Sequence, residues 1–408
     1  MSDAYDVAIV GAGIVGLAVA REIMRRRPGS RLIVVDKEDV VGRHQTGHNS
    51  GVIHAGVYYA PGSLKARLCV QGAALMQEFC ARHEVPVERC GKLIVAVREP
   101  ELARLAQLEA RARANGVPGV RRVDADEIAE IEPECRGIAA LHSPSTAIVD
   151  FGSVARAIAA ELARQGVTFG LGTEIRSMRR ERDRTVLTHA AGGYAARWAV
   201  ACAGAWSDRL AMSAGGLADP RIVPFRGAYL RVAAGQPPIV RGLIYPVPDP
   251  QLPFLGVHIT RHIDGHVLLG PTALLVAARD GHGARPVRAA RGARDVIDTL
   301  AWPGTWRLAR RFWRTGLDEL AMASWRRVFV QKCAQYVPRV GSLAFERHAA
   351  FGVRAQAVSR DGRLVDDFVL ARTPGVIHLR NAPSPAATSS FALAREIADR
   401  LEAASAAG

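Results

Sequence analysis

The residues with the clearest chemical pattern are three glycines and an aspartate near the start of the chain. Gly11, Gly13 and Gly16 follow an apolar run at G-x-G-x-x-G spacing, and Asp36 ends a second apolar run. Such glycines permit a tight turn and let a pyrophosphate approach bare backbone at a helix N-terminus, while the acid accepts hydrogen bonds from a ribose. The pattern predicts a dinucleotide site, with an ordinary βαβ turn as the alternative, and does not separate FAD from NAD.

A long polar segment after Asp36 is the second place suited to chemistry. Residues 44–68, HQTGHNSGVIHAGVYYAPGSLKARL, are rich in Gly, His, Asn, Ser and Tyr and show no amphipathic period before Ser63. An ordered polar loop beside a nucleotide site usually contacts the ligand. We therefore expect this segment to line the same site as the glycines.

A parallel sheet is needed to bring the glycine turn, the aspartate and the polar segment together. The apolar runs 7–10 and 31–35 predict buried strands around a helix, and 195–202 predicts a further strand. Residues 243–270 alternate like a sheet, whereas 272–338 is basic and helical in composition. The prediction is an α/β fold, with a Rossmann-type FAD-binding domain interwoven with an α+β substrate domain on a mixed or antiparallel sheet, if the dinucleotide is FAD.

The length of 408 residues predicts two closely packed domains rather than one core. No low-complexity linker separates them, so we expect the chain to pass between the domains more than once. The cofactor domain is expected to comprise residues 1–85, 145–215 and 345–408. The substrate domain is expected to comprise residues 86–144 and 216–344, including the basic helical segment 272–338.

The formal net charge of +15 indicates an anionic partner or an arginine-rich surface. An anionic membrane and an acidic substrate are both compatible with it. The basic residues are spread along the chain and no nucleic-acid-binding motif is visible, which argues against nucleic acid as a partner.

The cysteine pattern and the apolar runs bear on location. Six cysteines are scattered without a CxxC pair, which argues against a zinc site or a disulfide framework and favours a reducing compartment. The first strand begins close to Met1, and no apolar run approaches the roughly 18 residues of a membrane span. We therefore expect a cytoplasmic protein, with peripheral contact on the inner face of the cell membrane as the alternative.

Several segments resemble the D-amino-acid-oxidase-like superfamily of FAD enzymes, and the closer resemblance is to the L-2-hydroxyglutarate oxidase/dehydrogenase family. The segments that carry it are HQTGHNSGVIHAGVYY (44–59), PGSLK (61–65), PFRG (224–227), YPVPDP (245–250), PFLGVHIT (253–260), GVRAQAVS (352–359) and NAPSPAAT (381–388). They extend over nearly the whole chain, and the first block is highly specific. The glycine-rich turn that the wider superfamily has before its last helix is here replaced by residues 382–387, APSPAA.

This resemblance implies FAD as the cofactor, the dicarboxylate L-2-hydroxyglutarate as substrate, and 2-oxoglutarate as product. It also implies that electrons pass to a quinone or another acceptor. The expected cofactor contacts are Gly11, Gly13, Ile14, Val15, Gly16, Asp36, Lys37, His44, Thr46, His48, Asn49, Ser50, Gly51, Ile175, Ala203, Gly204, Trp206, Arg354, Pro383, Ser384, Pro385, Ala386, Ala387 and Thr388. Covalent attachment of the flavin at His44 or His48 is the alternative to non-covalent binding, and no metal is expected.

Oxidation of a 2-hydroxy acid requires a base for the hydroxyl proton and donors that hold the carboxylate. A dicarboxylate requires donors at both ends. The residues expected at the substrate are Arg226, Arg354, Lys65 and Arg261 for the carboxylates, His54 or His258 as the base, and Tyr245 as a donor or a packing residue. For each of them a structural role on a sheet edge or in the core is the alternative.

The segment 302–327 interleaves tryptophans with arginines, as amphipathic helices on anionic membranes do. A quinone acceptor would explain such a helix. The alternative is a helical lid on the substrate domain with buried tryptophan rings. Two other functions remain open at this point: a glycine- or sarcosine-type FAD amine oxidase, and a basic flavoprotein that binds nucleic acid.

Overall fold

The computed structural model describes residues 5–250, 252, 255–276, 278–280, 289–346 and 350–406. Pro253 and Phe254 of the predicted substrate-domain strand, and residues 281–288 of the basic segment, lie outside these residues. In the described part, that strand begins at His258.

The helices and strands alternate along the chain as expected of an α/β protein. The helices are α1 (Ile14–Arg26), α2 (Leu64–Arg82), α3 (Pro100–Ala114), α4 (Ala125–Ile131), α5 (Phe151–Arg164), α6 (Ser207–Ser213), α7 (Ala289–Ala301), α8 (Pro303–Arg311), α9 (Trp313–Ser324), α10 (Arg326–Ala334) and α11 (Ala386–Ala406). The strands are β1 (Tyr5–Val10), β2 (Leu32–Val35), β3 (Val52–Ile53), β4 (Val87–Glu88), β5 (Lys92–Ala96), β6 (Arg121–Asp124), β7 (Ala139–Ser143), β8 (Ala147–Val149), β9 (Thr168–Gly170), β10 (Ser177–Glu181), β11 (Arg184–His189), β12 (Gly192–Ala201), β13 (Arg221–Arg231), β14 (Leu243–Pro246), β15 (His258–Arg261), β16 (Val267–Gly270), β17 (Leu274–Leu275), β18 (Ala350–Val358), β19 (Val369–Thr373) and β20 (Val376–Asn381).

The first sheet carries the glycine turn. Its central strand β1 pairs in parallel with β2 and β12, while β9 and β20 extend the parallel part on either side. Val7, Ile9 and Val34 are buried against α1, α5 and α11, while the alternate residues of β1 and β2 are buried in a second cluster on the other face of the sheet. Because the carboxyl ends of parallel strands meet at one edge, the loops after β1, β2 and β12 converge there.

The second sheet is mixed and mostly antiparallel. Its strand order is β17-β13-β16-β15-β14-β5-β7-β6, with β18 paired to β13. Among these neighbours β14 and β5 run parallel, and the other pairs run antiparallel. The prediction of a nucleotide-binding α/β fold combined with a mixed sheet is confirmed.

The structure differs from the predicted domain division at β18. The predicted division places this strand in the cofactor domain with residues 345–408, but it pairs with β13 over nine residues of the second sheet. The chain then returns to the first sheet through β19 and β20. The sequence did not indicate that β18 belongs to the second sheet, because its pairing partner β13 lies more than a hundred residues earlier.

The basic segment is fastened to the first sheet by Arg279. Its guanidinium is fully buried and forms an ion pair with the equally buried Asp208 at the start of α6. It also donates to the carbonyl oxygens of Ala205 and Ile222 at 2.8 and 3.0 Å. The Arg279 backbone N–H donates to Asp295 of α7, so the helices that follow are held near the same edge.

Candidate active site

A single cavity of about 1570 Å³ runs from the glycine turn of the first sheet to the face of the second sheet. Ligand pockets for drug-sized molecules are usually roughly 300–1,000 Å³, so this cavity has room for a dinucleotide and a further small molecule. Its walls contain all but three of the residues predicted to contact the cofactor or the substrate. The three exceptions are Gly51, Arg226 and Arg261.

The glycine turn has the close contacts that the spacing predicted. Gly11 has φ +112°, and a Cβ on it would lie 2.3 Å from the carbonyl oxygen of Cys202. A Cβ on Gly16 would lie 1.9 Å from the carbonyl oxygen of Gly11. Gly13 is the N-cap residue of α1 and provides no side-chain cap, and the first turn contains no acidic residue. The positive end of this helix therefore faces the cavity without a side chain on Gly13.

Asp36 and Thr46 brace this turn. The Asp36 carboxylate accepts from the backbone N–H of Ala12 at 2.6 Å and of Glu38 at 2.9 Å. The Thr46 hydroxyl accepts from the N–H of Ile14 at 3.1 Å. Both side chains thus have a structural function in addition to the cofactor contact predicted for them, which stays a prediction.

Lys37, His44 and Trp206 meet at the outer end of the cavity. The Lys37 ammonium lies 3.9 Å from the Trp206 ring centroid, and His44 meets the same ring edge-on. Glu38 accepts from His44 at 2.9 Å and pairs with Lys37 at 3.0 Å. Burial raises the pKa of Glu38, but these two hydrogen bonds lower it to about 2. The carboxylate therefore stays ionised and holds both side chains in place.

Hydrogen bonds within the polar segment fix its conformation at the cavity wall. The Asn49 amide donates to the carbonyl oxygens of Gln45 and Thr46 and accepts from the Gly51 N–H, which fixes the loop. His48 and Ser50 line the cavity. Gly51 is not a lining residue. It has φ +69°, and a Cβ there would meet the Val149 carbonyl oxygen at 2.8 Å. The predicted cofactor contact of Gly51 is therefore corrected: this glycine permits a turn.

Two more loops complete the cofactor side. Ile175 lies in the loop between β9 and β10, and Ala203 and Gly204 follow β12. All residues from Ala382 to Thr388 line the cavity at the start of α11. The Thr388 hydroxyl accepts from the His54 N–H at 3.1 Å and lies 3.3 Å from the Val52 carbonyl oxygen as donor. The last helix is thereby joined to β3 and to His54, which directly follows that strand.

His258 is the histidine whose hydrogen bonds suit a base. Its Nδ1 donates to the Gly256 carbonyl oxygen at 3.0 Å, since a carbonyl can only accept, and this leaves the lone pair on Nε2. The ring stacks on Tyr245 with centroids 4.0 Å apart. Burial lowers the pKa of His258 to about 3, with Arg354 and Lys92 nearby adding to the effect. The imidazole is therefore neutral and can accept a proton.

His54 lies on the same cavity wall but differs in its contacts. Its Nδ1 is buried and has no hydrogen-bond partner among the described residues. Burial lowers its pKa well below the usual range, and Lys92 and His258 contribute in the same direction. His54 is thus also neutral, but no hydrogen bond fixes its tautomer.

Arg354 and Lys65 supply positive charge to the wall. Arg354 is half-buried on β18 and hydrogen-bonds Tyr229, whose pKa is raised by burial and lowered in part by this guanidinium. Lys65 is buried and donates to the carboxylate and carbonyl of Asp366, both at 2.8 Å. Both side chains line the cavity, and the Lys65 ammonium is paired with Asp366.

The chain matches the model of the FAD-dependent oxidoreductase (DAO) family over residues 6–400. It is 44% identical to L-2-hydroxyglutarate dehydrogenase, mitochondrial, of Nematostella vectensis over 98% of this chain and 91% of that protein. The chain belongs to the L-2-hydroxyglutarate dehydrogenase family.

Solved structures show the same fold at lower identity. L-α-glycerophosphate oxidase of Mycoplasma pneumoniae, with FAD bound, matches at a TM-score of 0.77 with 21% identity over 98% of this chain and 95% of that one. Glycine oxidase of Geobacillus kaustophilus matches at a TM-score of 0.70 with 23% identity over 98% and 95%. At these identities, the likeness extends to the fold alone.

FAD is the cofactor of this family, and the cavity fits it. The bare N-cap at Gly13 and the close approach at Gly11 leave backbone facing the place where a pyrophosphate would lie. At the other end, the N-terminus of α11 at residues 384–388 faces the cavity and could stabilise negative charge on a reduced ring. The individual contacts assigned to these residues remain predictions.

Two arginines predicted to bind carboxylates lie elsewhere. Arg226 is exposed and its guanidinium lies 3.9 Å from the Phe351 ring centroid, outside the cavity lining. The strand alternation on β13 turns Gly227 to the cavity instead. Arg261 forms a bidentate pair with Glu88 at 2.6 and 2.7 Å and is likewise not a lining residue. Both predictions for these arginines are corrected.

Sequence reasoning missed four polar residues of the substrate end. Tyr58, Arg104 and Arg111 line the cavity, and the fully buried Lys92 lies behind Tyr58 and Tyr245. Tyr58 was within the polar segment and was therefore accessible to the same argument as its neighbours. The arginines of α3 carried no signal, because arginines on an amphipathic helix usually face water.

Two groups of histidine and carboxylate side chains lie close enough to share a metal ion among the described residues. One is Glu38, His44 and Asp280, where the Lys37 ammonium already pairs with both carboxylates. The other is formed on the turn between β15 and β16 by His262, Asp264 and His266, beside the Arg231 guanidinium. Neighbouring cations account for the negative charge at both places.

Proposed function

We propose that this chain oxidises L-2-hydroxyglutarate to 2-oxoglutarate with FAD, as its family does. The observation that carries the proposal is that one cavity joins the glycine cradle, the neutral His258 and the cationic Arg354. A 2-hydroxy dicarboxylate needs these three features together: a two-electron acceptor, a base for its hydroxyl proton and donors for its carboxylates.

Each protein group has a distinct role in this reaction. Bound FAD supplies the acceptor for the hydride that leaves C2 of the substrate. His258 Nε2 takes the hydroxyl proton, because Nδ1 is committed to Gly256 and burial keeps the ring neutral. Arg354 binds the carboxylate next to the hydroxyl and orients the C2–H bond. Tyr245 holds the His258 ring by stacking.

The charge of the cavity wall disfavours the amine-oxidase alternative. Arg354 and Arg111 line the cavity and Lys92 lies close behind it, whereas Arg104 of the lining pairs with Asp249 at 3.0 Å. These cations attract a dianion and oppose an ammonium substrate. No observation specifically favours glycine or sarcosine as the substrate.

An anaerobic titration tests the proposal directly. L-2-hydroxyglutarate should bleach the flavin absorbance of the holoprotein, and the D-enantiomer should not do so at the same concentration. Glycine and sarcosine serve as controls for the amine-oxidase alternative. Bleaching by glycine or sarcosine without bleaching by L-2-hydroxyglutarate would reject the proposed substrate.

We further propose that electrons leave to a quinone and that residues 302–327 contact an anionic membrane surface. Trp306, Trp313 and Trp325 are 60%, 57% and 64% exposed, while Trp302 alone is buried and donates to the Val358 carbonyl oxygen. Further exposed apolar side chains extend the patch, namely Ile297, Leu300, Leu317 and Leu320. A lid with buried tryptophans would not leave these rings in water.

The charge around this patch supports an anionic surface as its partner. Arg307, Arg310, Arg311, Arg314 and Arg326 are exposed beside the tryptophans. Rings that enter the interface and arginines that remain at the headgroups are typical of peripheral helices. In the described part of the chain, no helix is both long and apolar enough to cross a bilayer.

Substitution of Trp306, Trp313 and Trp325 by alanine is expected to reduce sedimentation with vesicles that contain anionic lipid by at least ~10-fold, because each exposed ring loses apolar area at the interface. Binding of the unchanged protein should fall with salt. The control is Leu217→Ala, which removes an apolar side chain elsewhere that is even more exposed, at 79%. Equal sedimentation of the triple variant and the control would contradict this membrane contact.

A further inference from the structure

Lys92 is a buried charge that the reaction described above does not use. Its side chain is 2% exposed on β5, and among the described residues no carboxylate acts on the pKa of its ammonium. An ionised group taken out of water without a counter-ion is costly for a fold. Lysine at this position therefore calls for a reason other than stability.

The ammonium lies on two aromatic rings of the cavity wall. It is 4.4 Å from the ring centroid of Tyr245 and 5.1 Å from that of Tyr58. The two rings stack with centroids 6.4 Å apart, and Tyr245 in turn stacks on His258. Lys92 is therefore separated from the cavity by the rings that line it.

Tyr58 presents an unused hydrogen-bond donor there. Its hydroxyl is buried and has no hydrogen-bond partner among the described residues, although the residue lines the cavity. Burial raises its pKa well above the usual range, so the phenol remains protonated. A cation over a phenol ring withdraws electron density and makes its O–H a stronger donor.

We propose that Lys92 and Tyr58 form the subsite for the second carboxylate of a dicarboxylate ligand, with the Tyr58 hydroxyl as the donor and Lys92 as a positioning residue that supplies charge through the ring. This inference rests on the proposed function and deepens it by assigning the selectivity for two carboxylates. The bound anion provides the negative charge that no described carboxylate of the protein provides to Lys92.

The groups around Lys92 leave its charge sensitive to a bound anion. The groups that face it are Tyr58, Tyr245, Cys69, Cys90, His54 and His258. None of these is an anion at neutral pH, since burial raises the pKa of both thiols. Burial lowers the pKa of Lys92 to about 8, so the approach of a carboxylate favours its protonated form.

The test compares glutarate with butyrate, which share a chain but differ by one carboxylate and cannot be oxidised as 2-hydroxy acids. Their Kd values for the holoprotein are measured by calorimetry. Tyr58→Phe should weaken glutarate binding ~10-fold, the loss of one hydrogen bond to a carboxylate. Lys92→Met should weaken it to a similar extent because the charge behind the Tyr58 ring is removed, and both variants should change butyrate binding less than twofold. The double variant should lose little more than either single variant, because the two residues act as one unit.

Arg113→Met is the matched control, since it removes one positive charge from the exposed outer face of α3. Its Kd for glutarate should equal that of the unchanged protein. A second readout is steady-state oxidation of L-2-hydroxyglutarate, in which Lys92→Met should raise KM about 10-fold and leave kcat within a few fold.

Two outcomes would overturn the assignment. Glutarate binding that is unchanged in both single variants would show that Lys92 and Tyr58 only pack. Equal weakening of glutarate and butyrate would show a general structural effect. If Lys92→Met failed to fold, Tyr58→Phe, which removes one oxygen, would decide alone. A holoprotein that binds neither dicarboxylate nor L-2-hydroxyglutarate would instead reject the proposed function itself.

Discussion

Replacement of His258 by alanine is expected to lower kcat for L-2-hydroxyglutarate by ~10² or more, the usual contribution of a general base. His258 is the histidine with a fixed tautomer, because its Nδ1 donates to Gly256 and its ring lies against Tyr245. Stopped-flow reduction of the flavin under anaerobic conditions measures this step without interference from the acceptor. FAD content and melting temperature should be those of the unchanged protein.

His54→Ala is the matched comparison, since both histidines line the cavity and both are neutral. We expect a loss of less than tenfold for this variant. A larger loss for His54→Ala than for His258→Ala would transfer the role of base to His54.

The acid limb of the pH profile gives an independent check on His258. A base works only when it is deprotonated, so activity is lost as the pH falls through its pKa. Burial lowers the pKa of His258 to about 3, and kcat/KM should therefore show no break near the ordinary histidine value of about 6.5. A break there would mean that the base is a histidine in contact with water.

Arg354→Met should raise KM for L-2-hydroxyglutarate by roughly 10- to 100-fold, because hydrogen bonds to a charged group contribute about 1.5–3 kcal/mol. The KM of Arg354→Lys should lie between that of the unchanged protein and that of Arg354→Met, since lysine keeps the charge but loses the bidentate geometry. Initial rates over a range of substrate concentrations, combined with the Kd of 2-oxoglutarate, separate binding from turnover.

Arg226→Met is the control for this effect. Arg226 precedes the cavity-lining Gly227 on β13, is exposed and stacks on Phe351. Its loss should change KM less than twofold. An equal rise in KM for both variants would contradict the assignment of the carboxylate to Arg354.

Local sequence was sufficient to predict the cofactor half of the site. The glycines, Asp36 and the polar segment lie within about fifty residues of one another, and the parallel strands before them fix where they meet. The cavity contains nearly all of these residues because the loops after neighbouring parallel strands must converge. Gly51 was the exception, since its role depends on the Val149 carbonyl of a distant strand.

The substrate half depended on register and on distant partners. Whether Arg226 or Gly227 faces the cavity is decided by one residue of strand alternation on β13, which periodicity alone did not resolve. Arg261 does not line the cavity, and it forms a bidentate pair with Glu88, 173 residues earlier in the chain. Lys92 was missed because a lysine at the start of an apolar strand usually faces solvent.

The buried pair between Arg279 and Asp208 has a consequence for how the chain holds together. A fragment that ends before Arg279 would leave the Asp208 carboxylate in the interior without its cation, which costs about 3–5 kcal/mol when one partner of a buried pair is removed. The part of the chain before Arg279, although it contains the whole glycine turn, is therefore not expected to fold on its own. Truncated versions intended as minimal flavin carriers should be recovered as insoluble or protease-sensitive material.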